Sequence, residues 1–139
     1  MAEGQEHKNL KKLIMEIGNF EGYRVEKEVP LVGEFQVDVC WYKKPGRNPK
    51  YAFEVIVGSS VTNPLSSLQT ALNEWNCNKL IVIADGEKAR KTRALLDTTF
   101  TEIAPFCNVV NSSSIKRLRE ITAEYNTIKS AIGYTTFPT

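Results

Sequence analysis

Two carboxylates in this chain stand where carboxylates are expensive. The run 51–57 (Tyr-Ala-Phe-Glu-Val-Ile-Val) is an apolar, β-branched and aromatic segment of strand length, and it reads as a strand buried on both faces. Glu54 sits at its centre with three apolar residues on either side. An ionised carboxylate there needs a partner, a proton or a metal. The second carboxylate is Asp38, in the strand-like run 34–41 (Glu-Phe-Gln-Val-Asp-Val-Cys-Trp). The residues between, 43–49, carry Pro45, Gly46 and Pro49 and mark a turn. Folded into a hairpin about Gly46, residues whose numbers sum to 92 face one another, and Asp38 and Glu54 are such a pair. In that register their Cβ atoms lie ~4.5–5.5 Å apart, where like charges repel. A divalent cation between them would turn the repulsion into a site of hard oxygen ligands. A two-residue slip would separate the pair by about 7 Å more. The competing reading places Asp38 on a solvated face with Glu34 and Gln36, and neutralises Glu54 with a structural lysine or arginine.

The elements that must position this pair follow from periodicity. Leu10, Leu13, Ile14 and Ile17 recur at helical spacing over about 6–20, ended by Gly18 and Gly22. Residues 23–29 read as a strand closed by Pro30. After the two central strands, Asn63 and Pro64 read as a cap and a first-turn proline, before a helix with Leu65, Leu68, Leu72 and Trp75 as its core stripe. Residues 79–84 (Lys-Leu-Ile-Val-Ile-Ala) are the clearest buried strand, and a basic helix runs over about 87–97. Residues 98–105 are a short helix or a loop, and 107–110 a last strand. Ser112 to Ser114 cap a final helix whose core positions are Ile115, Leu118, Ile121 or Thr122, Tyr125 and Ile128. The tail, 133–139, reads as loose. The expected order is α-β-β-β-α-β-α-β-α in a single domain spanning 1–139.

Composition narrows the class. At 139 residues, with 42% hydrophobic and 24% charged content, the chain reads as one globular domain. No apolar segment approaches the ~20 residues needed to span a bilayer. The polar, acidic start is unlike a secretory signal. Cys40, Cys77 and Cys107 have no paired spacing and read as reduced thiols, so a cytoplasmic protein is expected. His7 is the only histidine, which rules out two-histidine zinc motifs, and in a charged helix it reads as incidental. Eighteen Lys and Arg against 16 Asp and Glu is nearly balanced, yet the basic residues cluster. Lys88, Arg90, Lys91 and Arg93 lie on one helix, and Lys116, Arg117 and Arg119 begin another. With Arg47 and the hairpin lysines they suggest a surface for phosphates, with a solvated helix face as the plain alternative.

The acidic pair on the second and third strands, the hairpin between them and the strong strand at 79–84 together resemble the PD-(D/E)xK nuclease superfamily. That group includes restriction enzymes, Holliday-junction resolvases and RecB-type nucleases. The resemblance covers roughly residues 6–110, carried by Gly33-Glu34-Phe35-Gln36-Val37-Asp38-Val39 and by Phe53-Glu54-Val55-Ile56. It implies a restriction-endonuclease-like α/β fold, a central mixed sheet with an αβββαβ core flanked by helices. It also implies metal-dependent phosphodiester cleavage with Mg²⁺ or Mn²⁺, held by Asp38, Glu54 and the Val55 carbonyl. Glu6 is similar to the amino-terminal glutamate that junction resolvases add as a ligand, although Glu3 and Glu16 also fit. Gln69 matches a RecB-type glutamine that assists at the phosphate, but its companion tyrosine is Asn73 here. One departure is larger: the motif lysine falls at position 56, which is Ile56. Lys50 shares a face with Glu54 but lies about 13 Å away along the strand.

The expectation is a nuclease acting on nucleic acid, DNA ahead of RNA, with Asp38, Glu54 and Gln69 as catalytic residues. The alternative is a catalytically silent module of the same fold that binds nucleic acid. A third reading is a scaffold for a protein partner or a homodimer.

Overall fold

A computed structural model of the chain describes residues 4–43, 46–58 and 60–133. The elements are α1 (Gln5–Phe20), β1 (Arg24–Pro30), β2 (Gln36–Tyr42), β3 (Tyr51–Ile56), α2 (Thr62–Trp75), β4 (Leu80–Ala84), α3 (Gly86–Thr98), β5 (Cys107–Val110) and α4 (Ser112–Ile132), with a short 3₁₀ turn at Ala104–Phe106. The order is the one expected from periodicity, and the stretch left between helix and loop holds the 3₁₀ turn.

The five strands lie side by side in chain order. β1, β2 and β3 form an antiparallel meander, while β4 and β5 add in parallel to β3 through the crossovers of α2 and α3. The protein is therefore α/β, with a mixed sheet between two helical layers. Strand alternation sorts the core into two. On one side Cys40, Ala52, Ile56, Leu80, Val82 and Ala84 pack with Leu65, Leu68 and Ala71 of α2 and with Ala89 and Leu96 of α3. On the other, Val39, Phe53, Val55 and Ile83 pack with Leu10, Ile14 and Ile17 of α1 and with Ile115 of α4.

The hairpin register is Val39 opposite Phe53, Cys40 opposite Ala52 and Trp41 opposite Tyr51, so facing residues sum to 92. The ladder stops at Val39–Phe53, one step short of Asp38 and Glu54. β1 is irregular at the matching place. Lys27 pairs with Val39 and Val29 with Val37, while Glu28 between them has φ of 52°. A left-handed conformation in a glutamate costs on the order of 1–2 kcal/mol. Its carboxylate accepts from the buried Lys11 Nζ at 2.8 Å. Alternation fails in β2 at the same level: Val37 packs on the α2 side and Val39 on the α1 side.

Three local expectations change. Asn63 is not the cap of α2; it lies in the first turn and donates its own backbone N–H to Ser60 Oγ at 3.3 Å. Asn111, not a serine, caps α4, its side-chain oxygen accepting from the Ser114 N–H at 3.0 Å. Of the residues assigned to the core of α4, Ile115 and Thr122 are buried, whereas Leu118, Ile121, Tyr125 and Ile128 are exposed. The reason is that α4 meets α1 along Ile115, Arg119 and Thr122, where Arg119 donates to Glu16 at 3.1 Å. The tail expected to be loose lies outside the described residues beyond Gly133.

Packing of α1 on β2 depends on Gly18. The Trp41 indole lies over it, donates Nε1–H to the Ile14 carbonyl at 3.2 Å and stacks on Tyr23. A Cβ on Gly18 would meet that indole, with Cε2 only 2.7 Å away. Gly18→Ala is expected to cost roughly 1–3 kcal/mol, because a well-packed ring must move. Urea unfolding followed by tryptophan fluorescence measures this, together with an altered native emission.

Candidate functional site

Beyond the end of the β2–β3 ladder the strands part, and Asp38 fills the opening. Its Oδ2 accepts the Val55 backbone N–H at 2.8 Å, so a side chain takes a hydrogen bond of the kind a neighbouring strand normally supplies. His7, in the first turns of α1, brings Nε2 to 3.2 Å from the same oxygen. With Asp38 ionised, the ring donates through Nε2–H. Glu54 alternates with Ala52 and Ile56, which directs it to the α2 side, and it is 4% exposed. Its Oε1 is buried without a hydrogen-bond partner.

Electrostatics drive the two acids apart. Burial, then the Asp38 charge and the hydrogen bond shared with Asp38, push Glu54 well above its ordinary value of 4.5; the Asp38 amide and the more distant Lys11 charge oppose this weakly. Asp38 is also raised by burial, but hydrogen bonds from His7, Glu54 and the Val55 amide outweigh it and hold the carboxyl below 3.8. The two acids are thus driven apart, Asp38 holding its charge more readily and Glu54 its proton more readily than either would alone.

The pair lies in an open cleft of about 610 Å³. Glu34, Phe35 and Gln36 wall it from β2 and the turn before it, His7 from α1, and Asn63, Pro64 and Ser67 from the start of α2. It opens at the carboxyl end of β3, where ligands of α/β sheets bind, and beside a helix amino terminus that favours negative charge. The cleft is a negatively charged basin with a hydroxyl, amides and an imidazole at its rim.

Several residues named from sequence lie elsewhere. Gln69 donates to Glu102 Oε2 at 2.8 Å and is not part of the cleft wall. Helical phase explains it: α2 turns Pro64 and Ser67 to the cleft, and Gln69 is two residues, about 200°, beyond Ser67. Glu6 is exposed and pairs with Lys116 at 3.2 Å; its neighbour His7 is the residue that reaches Asp38. Glu16 pairs with Arg119, and Glu3 lies outside the described residues. Val55 lines the cleft and engages Asp38 through its amide. Ile56 is 2% exposed among the apolar residues of the α2 side. Among the described residues, no three His, Cys, Asp or Glu side chains form a ready-made metal cage.

The basic residues are spread over two helices and off the cleft wall. Arg90 pairs with Glu87, Arg117 with Glu120, Lys116 with Glu6 and Arg119 with Glu16, while the Arg93 guanidinium approaches the Val109 carbonyl. Exposed pairs of this kind are worth little, so these cations can exchange partners readily. Sequence reasoning missed His7 and Lys11. The available signal was their i, i+4 spacing, which sets both on one face of the first helix.

No protein-family model, no curated protein and no solved structure matches this chain.

A buried carboxyl with a raised pKa makes a directional prediction. Below about pH 4.5 Glu54 is protonated in both folded and unfolded chains. As pH rises, the unfolded chain releases the proton while the folded chain keeps it, so stability falls until the folded group also ionises. The slope from this one group approaches 1.4 kcal/mol per pH unit. Glu54→Gln should therefore raise the melting temperature at pH 7–8 in the presence of a chelator and flatten the decline above pH 4.5. Thermal melts across pH 4–8 read both effects.

Proposed function

We propose that this chain is a divalent-metal-dependent phosphodiesterase domain, a nuclease of restriction-endonuclease-like fold acting on DNA in preference to RNA. One observation carries the reading: Glu54 Oε1 is buried, partnerless and beside a second carboxylate in an open cleft. A group arranged in this way is destabilising in the free protein, and a cation of hard character removes the penalty.

The donor set suits Mg²⁺ or Mn²⁺. Such ions take one or two carboxylates and complete their shell with water and substrate phosphate, so an assembled cage of protein ligands is not required. Asp38 and Glu54 would hold the ion, with the His7 imidazole available as a borderline donor or as an orienter of Asp38. When bound, the ion supplies charge stabilisation at phosphate oxygens and a water of lowered pKa. The chain's own residues do the rest. Asp38 is fixed by the Val55 amide and by His7, which keeps one carboxylate ionised and oriented. Glu54, raised by burial, would have to give up its proton to hold the ion, so binding would strengthen with pH. The amino terminus of α2 borders the cleft at Asn63 and Pro64, and its dipole would favour a phosphate there, although the Asn63 N–H is taken by Ser60 Oγ and Pro64 has none. Ile56 cannot serve as the motif lysine; on α1, Lys11 is the cation whose charge reaches Glu54, and His7 hydrogen-bonds to Asp38.

The test is cleavage of labelled single-stranded, duplex and branched DNA, and of RNA, with Mg²⁺ or Mn²⁺. Asp38→Asn and Glu54→Gln are each expected to lower cleavage by about 10²–10³-fold, and His7→Ala by roughly 10–100-fold. Mn²⁺ should raise the melting temperature of the wild type and leave both carboxylate variants unmoved. Cleavage that survives both substitutions would refute the assignment.

The burial of Ile56 favours a second reading, a silent relative that binds nucleic acid without cutting it. It predicts salt-sensitive binding with no turnover on any substrate. Reversing Lys88, Arg90, Lys91 or Arg93 should weaken that binding, with Lys116, Arg117 and Arg119 as the second contact set, measured as a shallower dependence of affinity on salt.

A further inference from the structure

The last helix carries a surface that neither the core nor the cleft uses. Leu118, Ile121, Tyr125, Ile128 and Ile132 are 41%, 44%, 47%, 52% and 68% exposed. Their spacing is three, four, three, four, the alternation that keeps one stripe facing a partner helix through two heptads. The adjoining flank of α4 is already occupied, since Ile115 and Thr122 are buried toward α1 and Arg119 pairs with Glu16. Tyr125 stands edge-on to Phe20 of α1, with ring centroids 5.8 Å apart. The stripe is thus presented on a helix already folded and braced. A partner would not have to pay for helix formation, the step that makes short isolated coiled coils unstable.

We propose that this stripe is a homodimer interface in which α4 of two copies pairs in parallel. With Leu118, Tyr125 and Ile132 at the first apolar position of each heptad, and Ile121 and Ile128 at the second, the flanking positions are Arg117 and Glu124 on one side and Thr122 and Lys129 on the other. In a parallel pair each flanking residue of the first kind meets the residue five positions further along the partner helix. Glu124 then meets Lys129 of the second copy, and two-fold symmetry makes the contact twice. An antiparallel pair centred on the stripe would set Glu124 against Glu124 of the second copy. Charge therefore favours a second copy in parallel, with Lys129 shifting from its place over the Tyr125 ring, 4.9 Å from the centroid, to reach Glu124 of that copy. The exposed parts of the five residues amount to roughly 500 Å² per copy, so complete coverage would bring the pair to the ~1,000 Å² at which specific interfaces begin. A dimer of micromolar affinity is expected from so short a seam. The inference stands apart from the chemistry of the cleft.

Sedimentation equilibrium of the full chain from about 1 to 500 µM tests it. The expected result is a reversible transition from a 15.7 kDa monomer to a species of twice that mass. Ile128→Glu should shift the midpoint at least tenfold upward, while circular dichroism reports an unchanged fold. Glu124→Lys and Lys129→Glu should each weaken association several-fold, and the double exchange should restore it to within about threefold. A monomer throughout the range overturns the proposal and leaves the stripe to a different partner. Dimerisation indifferent to Ile128→Glu overturns it by placing the contact elsewhere. Rescue absent from the double exchange overturns the parallel arrangement.

Discussion

The hydrogen bond from the Val55 amide to Asp38 decides the character of the whole sheet end. Backbone donors inside a sheet are costly to leave unpaired, and the usual acceptor is the next strand's carbonyl. Here the acceptor is a side chain, and that allows β2 and β3 to part without orphaning the amide. Parting the strands opens the cleft, admits His7 from the α1 layer and exposes one flank of the acidic pair. Favouring the charged form of one carboxylate then makes its buried neighbour hold its proton more readily. Geometry and protonation are linked, since burial, and after it the charge of the carboxylate that closes the sheet, raises Glu54.

Around that point the fold is conservative. Two apolar layers sandwich the sheet, and α2 leaves β3 only a few residues after Glu54, so its amino terminus sits beside the pair. The left-handed Glu28, its bond to Lys11 and the broken alternation between Val37 and Val39 all fall at the level of Asp38. Strain of this sort persists only where the surroundings over-determine it. It marks the level at which regular pairing was given up in favour of a cavity.

What could be read from sequence was local or periodic. Two-residue alternation and a Pro/Gly turn fixed the hairpin register, and apolar flanks identified Glu54 as buried. The i, i+4 spacing of His7 and Lys11 sets them on one face of α1, but which groups they meet depends on where α1 crosses β1 and β2, a tertiary fact. Gln69 lies off the cleft wall for a different reason: it is at core spacing from Leu65 and Leu72, yet the buried stripe of α2 runs through Leu65, Leu68 and Ala71. In α4 the period was read correctly and the partner was not. Two stripes satisfied the helical repeat, and α1 took the one containing Ile115 and Thr122. Periodicity reports that a face is apolar without saying what covers it.

The edges of the sheet carry a consequence for solubility. β1 presents Arg24, Glu26 and Lys27, twists at Glu28 and ends in a proline that has no amide to offer, while β5 is only four residues long. Neither margin makes a flat template for another strand, which guards against ribbon-like aggregation when the protein is concentrated. Any pairing between copies through the backbone is thereby disfavoured at both margins of the sheet.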